Sequence, residues 1–488
     1  MRILLVQPTP PAWAWPRGSY RVHGVPTELT VLAAVLRARG HQVRLEHREA
    51  RLMRGLFEWA RADAEFVEGL RLQTPDLVVF QAPTAAIEEV GRLADLVRAT
   101  LGDAPLVLLC GPHATALPAG TLREIPALSA VVLGEGEATV GEIADGMPLT
   151  GLSGLMCREA SGEGVGGGTR PPLVDLDLLP PPTWDLCDME FAVARNRWMI
   201  RWMPLRAINL RTSRGCPNAC AFCAAPVSSG SGVRLHSVSY IMDLIGRAIR
   251  DHAVEAVWFE DETFAADEER LLRLCQALQR EGWEKRLKWA CCLRADQAHP
   301  ELLSAMKAAG CIQVEYGFES ASDRLLQAVG KNASVAQNLE AARLTHASGL
   351  RLFANMMFGL PGETARDMER NLKFIRTVRP EVLSVSIMAP LPGTPLFSEQ
   401  DQSRLSHLRW GDFAYFDQPR PGFQFSALSD DLFFRRYRRV LKRFVKPLVL
   451  RQILRDAGNE DSAEVRKWRA AWRRFVRRHP LRALRLPR

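Results

Sequence analysis

The sequence predicts an α/β protein with an N-terminal doubly wound, Rossmann-like domain, a partial (β/α)6 TIM-like barrel and a helical basic C-terminal region. Three observations support this fold class. Short β-rich runs alternate with helical patterns over residues 1–145, the alternation resumes near residue 205, and a Gly- and Pro-rich segment separates the two. The 488 residues are 47% hydrophobic, which excludes a disordered chain and allows several cores.

The first predicted domain spans residues 1–145. Its candidate strands are Arg2–Val6, Gln42–Glu46, Asp76–Phe80, Leu106–Leu109 and Ala130–Leu133, with helical patterns at Thr27–Arg39 and Ala85–Thr100. In doubly wound sheets, ligands bind outside the carboxyl ends of the strands. Two of these ends lead into unusual loops, Cys110-Gly-Pro-His-Ala-Thr115 and Gly134-Glu-Gly-Glu137.

The remaining chain is predicted as a linker over 146–204, a barrel over 205–398 and a helical region over 399–488. The linker contains Gly162-Glu-Gly-Val-Gly-Gly-Gly168 and two proline runs. Six βα-type units predict a parallel barrel whose active site lies at the carboxyl ends of the strands. Its candidate strands are Ala207–Arg211, Ala256–Phe259, Lys288–Leu293, Gln313–Gly317, Leu352–Met357 and Leu383–Met388.

The net charge of +9 is unevenly distributed. Residues 435–488 contain 19 Lys/Arg and 4 Asp/Glu, a net +15, whereas the rest has 45 basic and 51 acidic residues, a net −6. Nucleic acid is not expected as a partner, because no nucleic-acid module accompanies the charge. The tail fits a packed helical cap, which we favour, or a peripheral membrane contact through one apolar stripe. That stripe consists of Val465, Trp468, Trp472, Phe475 and Val476.

The protein is expected to lie in the cytoplasm, because its first residues form too short an apolar run for a signal peptide.

The strongest motif is Cys216-Pro-Asn-Ala-Cys220-Ala-Phe-Cys223. Closed zinc sites and ordinary iron–sulfur clusters take four ligands. Three thiolates on a four-iron cluster would leave one iron open, and a zinc knuckle completed by a distant residue is the alternative. Five further cysteines are predicted to be buried structural thiols: Cys110, Cys275, Cys291, Cys292 and Cys311.

The spacing Cys-x3-Cys-x2-Cys, with the aromatic Phe222 before the last cysteine, resembles the signature of radical S-adenosylmethionine (SAM) enzymes. Further segments resemble motifs of that family in the expected order over about residues 205–397. They are Phe259-Glu-Asp261-Glu262-Thr-Phe264, Arg294-Ala-Asp296, Gly317-Phe-Glu319-Ser320, Phe358-Gly-Leu-Pro-Gly-Glu363-Thr364 and Pro390-Leu-Pro-Gly-Thr-Pro395.

The resemblance implies that Cys216, Cys220 and Cys223 ligate a [4Fe-4S] cluster whose open iron binds SAM. For Asp261 and Glu262, the alternative is a solvated acidic loop. For Glu319 it is an ion pair in the barrel mouth, and for Gly359 and Gly362 it is a plain βα turn. The implied contacts to SAM are Asp261 and Glu262 at its ammonium, Glu319 at its ribose, and Gly359 and Gly362 at its adenine.

The two loops of the first domain resemble those of the cobalamin-binding radical SAM enzymes. This resemblance implies that Gly111, His113, Gly134 and Gly136 bind cobalamin, although an ordinary loop hydrogen bond explains His113 equally well. No Asp-x-His-x-x-Gly occurs in the chain, so the sequence assigns no lower axial ligand to cobalt. Dinucleotide binding is disfavoured because the first strand is not followed by Gly-x-Gly-x-x-Gly.

The resemblance implies a methyltransferase that moves a methyl group from methylcobalamin to an unactivated carbon through a 5′-deoxyadenosyl radical. The expected partners are a small-molecule substrate and an external electron donor of the flavodoxin or ferredoxin type. One alternative keeps both cofactors but catalyses cyclisation, ring rearrangement or oxidation. The other is a non-catalytic corrinoid- or metal-binding regulator.

Overall fold

The computed structural model describes residues 1–11, 24–55, 57–158, 164–399, 405, 408–413, 424–445, 447–448, 450–451, 454 and 463–478. The chain forms two compact units. The first contains Met1–Ala194, Arg211–Leu244 and Pro390–Ala414, and the second contains Arg195–Leu210, Ile245–Ala389 and Tyr415–Arg488. The three-cysteine segment thus folds with the N-terminal part of the chain, whereas the sequence grouped it with the barrel.

The first unit contains a seven-stranded sheet with the order β2-β1-β3-β4-β5-β6-β7. Strands β1 to β5 pair in parallel, and each lies within one residue of its predicted bounds, which confirms the doubly wound prediction. Apolar clusters cover both of its faces. The strands are β1 Arg2–Gln7, β2 Gln42–His47, β3 Leu77–Gln81, β4 Leu106–Cys110, β5 Ala130–Val132, β6 Leu155–Arg158 and β7 Gly164–Gly166.

Strands β6 and β7 add an antiparallel extension to this sheet, in the segment that the sequence predicts as a linker. The glycine run provides no apolar alternation from which a strand could be recognised. It does allow close backbone approach: a Cβ atom on Gly167 would lie 2.3 Å from the carbonyl oxygen of Leu152. The linker prediction is therefore wrong for these residues.

The second unit contains a six-stranded sheet with the order β15-β14-β13-β12-β11-β8. All five pairings are parallel, which confirms the partial barrel, and two predicted strands have the observed bounds. A short antiparallel pair, β9 and β10, belongs to the first unit. These strands are β8 Ala207–Leu210, β9 Ser213–Arg214, β10 Arg234–Leu235, β11 Ala256–Phe259, β12 Lys288–Leu293, β13 Cys311–Glu319, β14 Arg351–Phe358 and β15 Val382–Ile387.

The helices follow the strands, as βα alternation requires. Among the described helices, none combines the length and hydropathy needed to cross a membrane. The side chains of Val465, Trp468 and Phe475 lie outside the described residues. The helices are α1 Thr27–Ala38, α2 Arg48–Arg54, α3 Trp59–Gln73, α4 Ile87–Leu101, α5 Pro112–Ala116, α6 Pro118–Glu124, α7 Glu137–Ala144, α8 Met189–Ala192, α9 Ala225–Ser229, α10 Val238–His252, α11 Glu268–Arg280, α12 Pro300–Ala308, α13 Asp323–Ala328, α14 Val335–Ala347, α15 Ala365–Val378, α16 Pro395–Glu399, α17 Asp430–Val440 and α18 Ala463–Arg478.

Candidate cofactor sites

The three-cysteine loop begins directly after β9 and is closed by β10. Gly215 allows the start of the loop to pass close to the backbone of Gly232. It adopts φ +88°, and a Cβ atom there would lie 2.0 Å from the carbonyl oxygen of Gly232. The three cysteines are half-buried and form no disulfide, so their thiols are available as ligands. Phe222 is buried and anchors the loop between the second and third cysteine.

The donor set of this loop fits a four-iron cluster with one open iron. Among the described residues, no three His, Cys, Asp or Glu side chains converge closely enough to hold a single metal ion. A cubane cluster requires a wider arrangement, because each of its thiolates binds a different iron. Asn218 Nδ2 donates a weak hydrogen bond to Cys216 Sγ at 3.4 Å, a contact that disperses thiolate charge.

Four charged side chains connect the β9–β10 pair, which we call the neck of the three-cysteine loop, to the acidic loop after β5; we call these side chains the charge cluster. They are Glu135, Glu137, Arg214 and Arg234. Arg234 donates from both terminal nitrogens to Glu135, at 2.6 and 2.9 Å, and Arg214 pairs with Glu137 and, at 3.3 Å, with Glu135. Arg214 and Arg234 are direct partners in the β9–β10 pair, so both strands of the neck are held.

All members of the charge cluster are mostly buried, with 10–14% of each side chain exposed. Burial alone would raise the pKa of Glu137, but the charge and hydrogen bond of Arg214 hold this pKa below its ordinary value. The carboxylate of Glu137 is therefore ionised, and the bidentate contact of Arg234 with Glu135 is strong and directional.

The acidic loop also contacts the loop after β4. The backbone N–H of Gly134 donates to Thr115 Oγ1 at 2.9 Å, and the Thr115 hydroxyl donates to the carbonyl oxygen of Gly111 at 3.0 Å. Gly111 adopts φ +114°, and a Cβ atom there would lie 2.6 Å from the carbonyl oxygen of Ala82. The structure thus brings the glycines predicted to bind cobalamin and the three predicted cluster ligands into one compact unit.

The surroundings of Gly134 fit close approach by a large flat ligand. This residue adopts φ +72°, and no atom lies within 4 Å of a Cβ placed there. At Gly136, in contrast, a Cβ atom would lie 3.3 Å from Cys110 Sγ, so this residue packs inside the unit. A cavity of about 490 Å³ opens beside Gly134 and Glu135, and its volume is typical of small-molecule sites.

His113 is buried, with 1% of its surface exposed. Its Nδ1 lies 3.3 Å from Thr84 Oγ1, and its ring meets the ring of Trp410 edge-on at 4.6 Å. Burial lowers the pKa of His113 to about 4, so its ring is neutral. Among the described residues, Nε2 has no hydrogen-bond partner. Thr84 therefore supplies the loop hydrogen bond of one alternative, and Nε2 is the nitrogen that the other alternative, direct cofactor contact, would use.

In the second unit, the predicted SAM-binding carboxylates follow the strand ends. Asp261 is buried and Glu262 is half-buried after β11. Glu319 ends β13 at φ +59°, an uncommon conformation for a residue other than glycine. Lys331 Nζ donates to Glu319 Oε1 at 3.3 Å, so the carboxylate is held in place and its second oxygen has no ion-pair partner among the described residues.

A second group of contacts in this unit holds the glycine loop after β14. The backbone N–H of Gly359 donates to Glu363 Oε2 at 2.6 Å, and Asn371 Nδ2 donates to Glu363 Oε1 at 3.2 Å. Asn371 Oδ1 in turn accepts from the N–H of Ala321, at 2.7 Å, in the loop after Glu319. Burial raises the pKa of Glu363 to about 8, so this carboxyl is largely protonated at neutral pH.

Sequence reasoning assigned no role to Arg214, Arg234, Asn371 or Glu315, all of which position or line these sites. The arginines and Asn371 carry no local signal, because their partners lie 8 to 99 positions away. Glu315 could have been found, since it is an acidic residue inside strand β13 between two buried neighbours, Val314 and Tyr316. Cys110, Cys275, Cys291 and Cys311 are buried as predicted, and Cys292 is half-buried.

Two protein-family models match this chain. Residues 210–375 match the radical SAM superfamily, and residues 17–144 match the B12 binding domain. The two matches occur in the order that the motifs indicate. Together they assign the sheet edge around Gly134 and the three-cysteine loop to recognised cofactor-binding families.

Individual proteins agree with these assignments. An uncharacterized methyltransferase of Pyrococcus horikoshii is 29% identical over 401 residues, 81% of this chain and 82% of that protein. The anaerobic magnesium-protoporphyrin IX monomethyl ester cyclase of Cereibacter sphaeroides is 26% identical and covers 69% of this chain, which matches 55% of the cyclase. The radical SAM methyltransferase TsrM from Kitasatospora setae, solved with cobalamin and a [4Fe-4S] cluster, shares the fold, with a TM-score of 0.65 at 19% identity over 84% of this chain and 76% of TsrM.

These relatives are enzymes, which favours catalysis over the regulator alternative. The domain models, the ordered motifs and the loop geometry agree with one another. The chain belongs to the radical SAM enzymes that carry an N-terminal cobalamin-binding domain.

Proposed function

We propose that this protein is a cobalamin-dependent radical SAM methyltransferase that methylates an unactivated carbon. One observation carries the proposal: the three-cysteine loop and the glycine loops of the B12-type sheet share one compact unit and are joined by the charge cluster. The similarity to a methyltransferase over four-fifths of both chains favours methyl transfer over other outcomes.

The proposed function assigns binding and positioning roles to the residues of these sites. When bound, the reduced cluster and SAM supply the substrate radical, and cobalamin supplies the methyl group. Cys216, Cys220 and Cys223 hold the cluster through thiolates and leave one iron for SAM. Glu319 offers a carboxylate oxygen to hydroxyl groups, and the buried Asp261 offers a negative charge to an ammonium group.

Anaerobic reconstitution with iron, sulfide and cobalamin, followed by incubation with SAM and a reductant, tests this proposal. Methyl transfer produces both S-adenosylhomocysteine and 5′-deoxyadenosine. Cys216→Ala should abolish 5′-deoxyadenosine, whereas Cys187→Ala, the same change at a half-buried cysteine outside the loop, should retain it. Formation of 5′-deoxyadenosine without S-adenosylhomocysteine, in the presence of a turned-over substrate, would contradict methyl transfer.

That last outcome would support the second candidate, a cyclisation or oxidation that uses the same cofactors. The similarity to the cyclase over 69% of this chain favours it specifically. The two candidates share every residue described above. They differ only in whether SAM is also consumed as a methyl donor.

We further propose that the enzyme works in the cytoplasm and receives its electron from an external donor of the flavodoxin or ferredoxin type. The cluster must be reduced by one electron in each cycle, so an electron donor is required. Replacement of a chemical reductant by reduced flavodoxin should sustain 5′-deoxyadenosine formation. Failure with both flavodoxin and ferredoxin would contradict this donor class.

A further inference from the structure

One face of the six-stranded sheet carries several polar side chains. Side chains alternate between faces along a strand, and residues paired in register share a face. On β13, Val314, Tyr316 and Phe318 are fully buried, and the Tyr316 hydroxyl contacts Thr345 of α14 at 3.0 Å. The opposite face, which we call the inner face, carries Asn209, Trp258, Cys292, Glu315, Asn355 and Ser384.

Glu315 is the acidic group in the middle of the inner face. Its Oε1 accepts a hydrogen bond from Asn355 Nδ2 at 2.6 Å. Among the residues that the structure describes, no Lys or Arg forms an ion pair with Glu315, and Oε2 accepts no hydrogen bond. Burial raises the pKa of this carboxyl, whereas the hydrogen bond from Asn355 and the charge of Arg201 offset part of the rise. Glu315 thus has one hydrogen-bond donor and one cation nearby, and its Oε2 remains available to a ligand.

Gln313 provides a second, independent observation on the same face. Only 1% of this residue is exposed, yet neither its Nε2 nor its Oε1 has a hydrogen-bond partner within the described part of the chain. It lies two residues before Glu315 and therefore on the same side of β13. Buried amides without partners are rare in native proteins, and the usual explanation is a bound water or ligand. Two side chains on one face of β13 thus carry polar atoms that have no hydrogen-bond partner among the described residues.

We propose that Glu315, Gln313 and Asn355 form the substrate-recognition subsite of this enzyme, and that the substrate presents an N–H or O–H donor to Glu315. This inference rests on the proposed function and assigns the substrate class. A pure hydrocarbon, such as a lipid tail, would leave Glu315 Oε2 and the amide of Gln313 desolvated and unpaired. Sites built to hydrogen-bond a substrate reject analogues without that group by about 10⁴-fold or more.

Cys292 is the register partner of Glu315 on β12 and borders the same place. Burial raises the pKa of its thiol well above the ordinary value, and the charges of Glu315 and Asp261 add to the rise. The thiol is therefore protonated and neutral. This neutral, polarisable thiol borders the subsite, and the carboxyl of Glu315 remains the acceptor for the substrate.

Transfer of deuterated methyl from [methyl-²H₃]SAM tests the substrate class. The reconstituted enzyme is incubated separately with the aqueous and the lipid extract of cells that contain it, and labelled products are detected by mass spectrometry. We expect label in a product of the aqueous extract, a decrease of at least tenfold with Glu315→Leu, and partial recovery with Glu315→Gln. Label confined to the lipid extract, at equal rates in wild type and Glu315→Leu, would overturn the inference while leaving methyl transfer intact.

A binding experiment without turnover separates this inference from the proposed function. The cluster- and cobalamin-loaded enzyme is titrated, without reductant, with 2-phenylethylamine or with propylbenzene, which replaces the amine by a methyl group. We expect the amine to raise the thermal unfolding midpoint, and Glu315→Leu to reduce its apparent affinity at least tenfold. Equal binding of both probes, or amine binding that Glu315→Leu leaves unchanged, would overturn the subsite.

The matched control is Glu269→Leu, at a glutamate on α11 whose side chain is 80% exposed. It tests whether loss of a carboxylate elsewhere in the second unit affects either readout. Circular dichroism and iron content establish that each variant is folded and loaded. If Glu315→Leu does not fold, Asn355→Ala, which removes the donor to Oε1, replaces it in both experiments and should weaken amine binding in the same direction.

Discussion

The two units hold their candidate cofactor loops by different means. In the first unit, ionised side chains join segments that are 77 to 99 residues apart in sequence, through the charge cluster of Glu135, Glu137, Arg214 and Arg234. In the second unit, loops at neighbouring strand ends are joined by Asn371 and the largely neutral Glu363. Distant segments thus rely on charge, whereas adjacent loops already positioned by strand register need only short hydrogen bonds. The four predictions below test this difference, from the largest expected effect to the smallest.

Arg234→Ala should have the largest effect, because it leaves Glu135 mostly buried with only Arg214 as a partner. Breaking a buried ion pair typically costs about 3–5 kcal/mol. We expect a lower thermal unfolding midpoint and faster loss of cluster absorbance at 25 °C. Arg343→Ala, which breaks an exposed pair with Glu340, is the control and should change neither readout.

The double variant Arg234→Ala/Glu135→Ala sharpens this test. Removing the unpaired carboxylate as well should restore part of the lost stability, because no desolvated charge is left without its partner. If the two single changes are simply additive, the charge cluster does not act as a unit.

Glu363→Gln should alter the alkaline stability of the second unit. The folded pKa of about 8 lies above the ordinary value, so Glu363 favours the folded state most at low pH and loses this contribution as pH rises through 8. The thermal unfolding midpoint of the wild type should therefore decrease more between pH 6 and pH 9 than that of Glu363→Gln, because the glutamine side chain is neutral throughout this range. Identical losses in the two proteins would show that Glu363 is ionised at both pH values. The absolute stability of the variant is expected to be lower, since an amide accepts only one of the two N–H donors.

His113→Gln should alter acid stability, in the first unit. The folded pKa of about 4 lies below the ordinary value near 6.5, so its stabilising contribution is complete above pH 6.5 and is lost as pH falls toward 4. The midpoint of the wild type should therefore decrease more between pH 7 and 4.5 than that of His113→Gln. His346→Gln, at a histidine with 35% side-chain exposure, serves as the control. If the unfolding midpoint of His113→Gln decreases as much as that of the wild type, the conclusion that the buried His113 ring is neutral is contradicted.

Gly134→Ala should have the smallest effect on folding and a specific effect on cobalamin. Alanine at φ +72° costs about 1 kcal/mol, but no atom would clash with its methyl group. We expect a small change in unfolding midpoint and a several-fold decrease in cobalamin retained after gel filtration. Gly282→Ala, at φ +65° where likewise no atom lies within 4 Å of a Cβ, is the control and should retain cobalamin. Equal retention in both variants would place the cofactor away from Gly134.

Much of the fold could be predicted because its signals are local. The five parallel strands of the first sheet and the six of the second appear as apolar runs, and turn residues mark their ends. Strands β6 and β7 were missed because β7 consists of Gly164, Val165 and Gly166 and has no periodicity. The prediction for His113 left two alternatives, and only the structure shows its contacts with Thr84 and Trp410.

The sequence by itself determined the three-cysteine motif, the order of the βα units and the distribution of charge, because each depends on residues close together in the chain. Only the tertiary structure paired Arg234 with Glu135, across 99 positions, and placed Glu315 on one face with Gln313, whose amide has no hydrogen-bond partner among the described residues. Long-range pairs and unsatisfied polar groups depend on which side chains the fold brings together, and spacing along the chain carries no record of that. The chemistry of the cofactors is therefore local information, whereas loop attachment and substrate class are decided by tertiary packing.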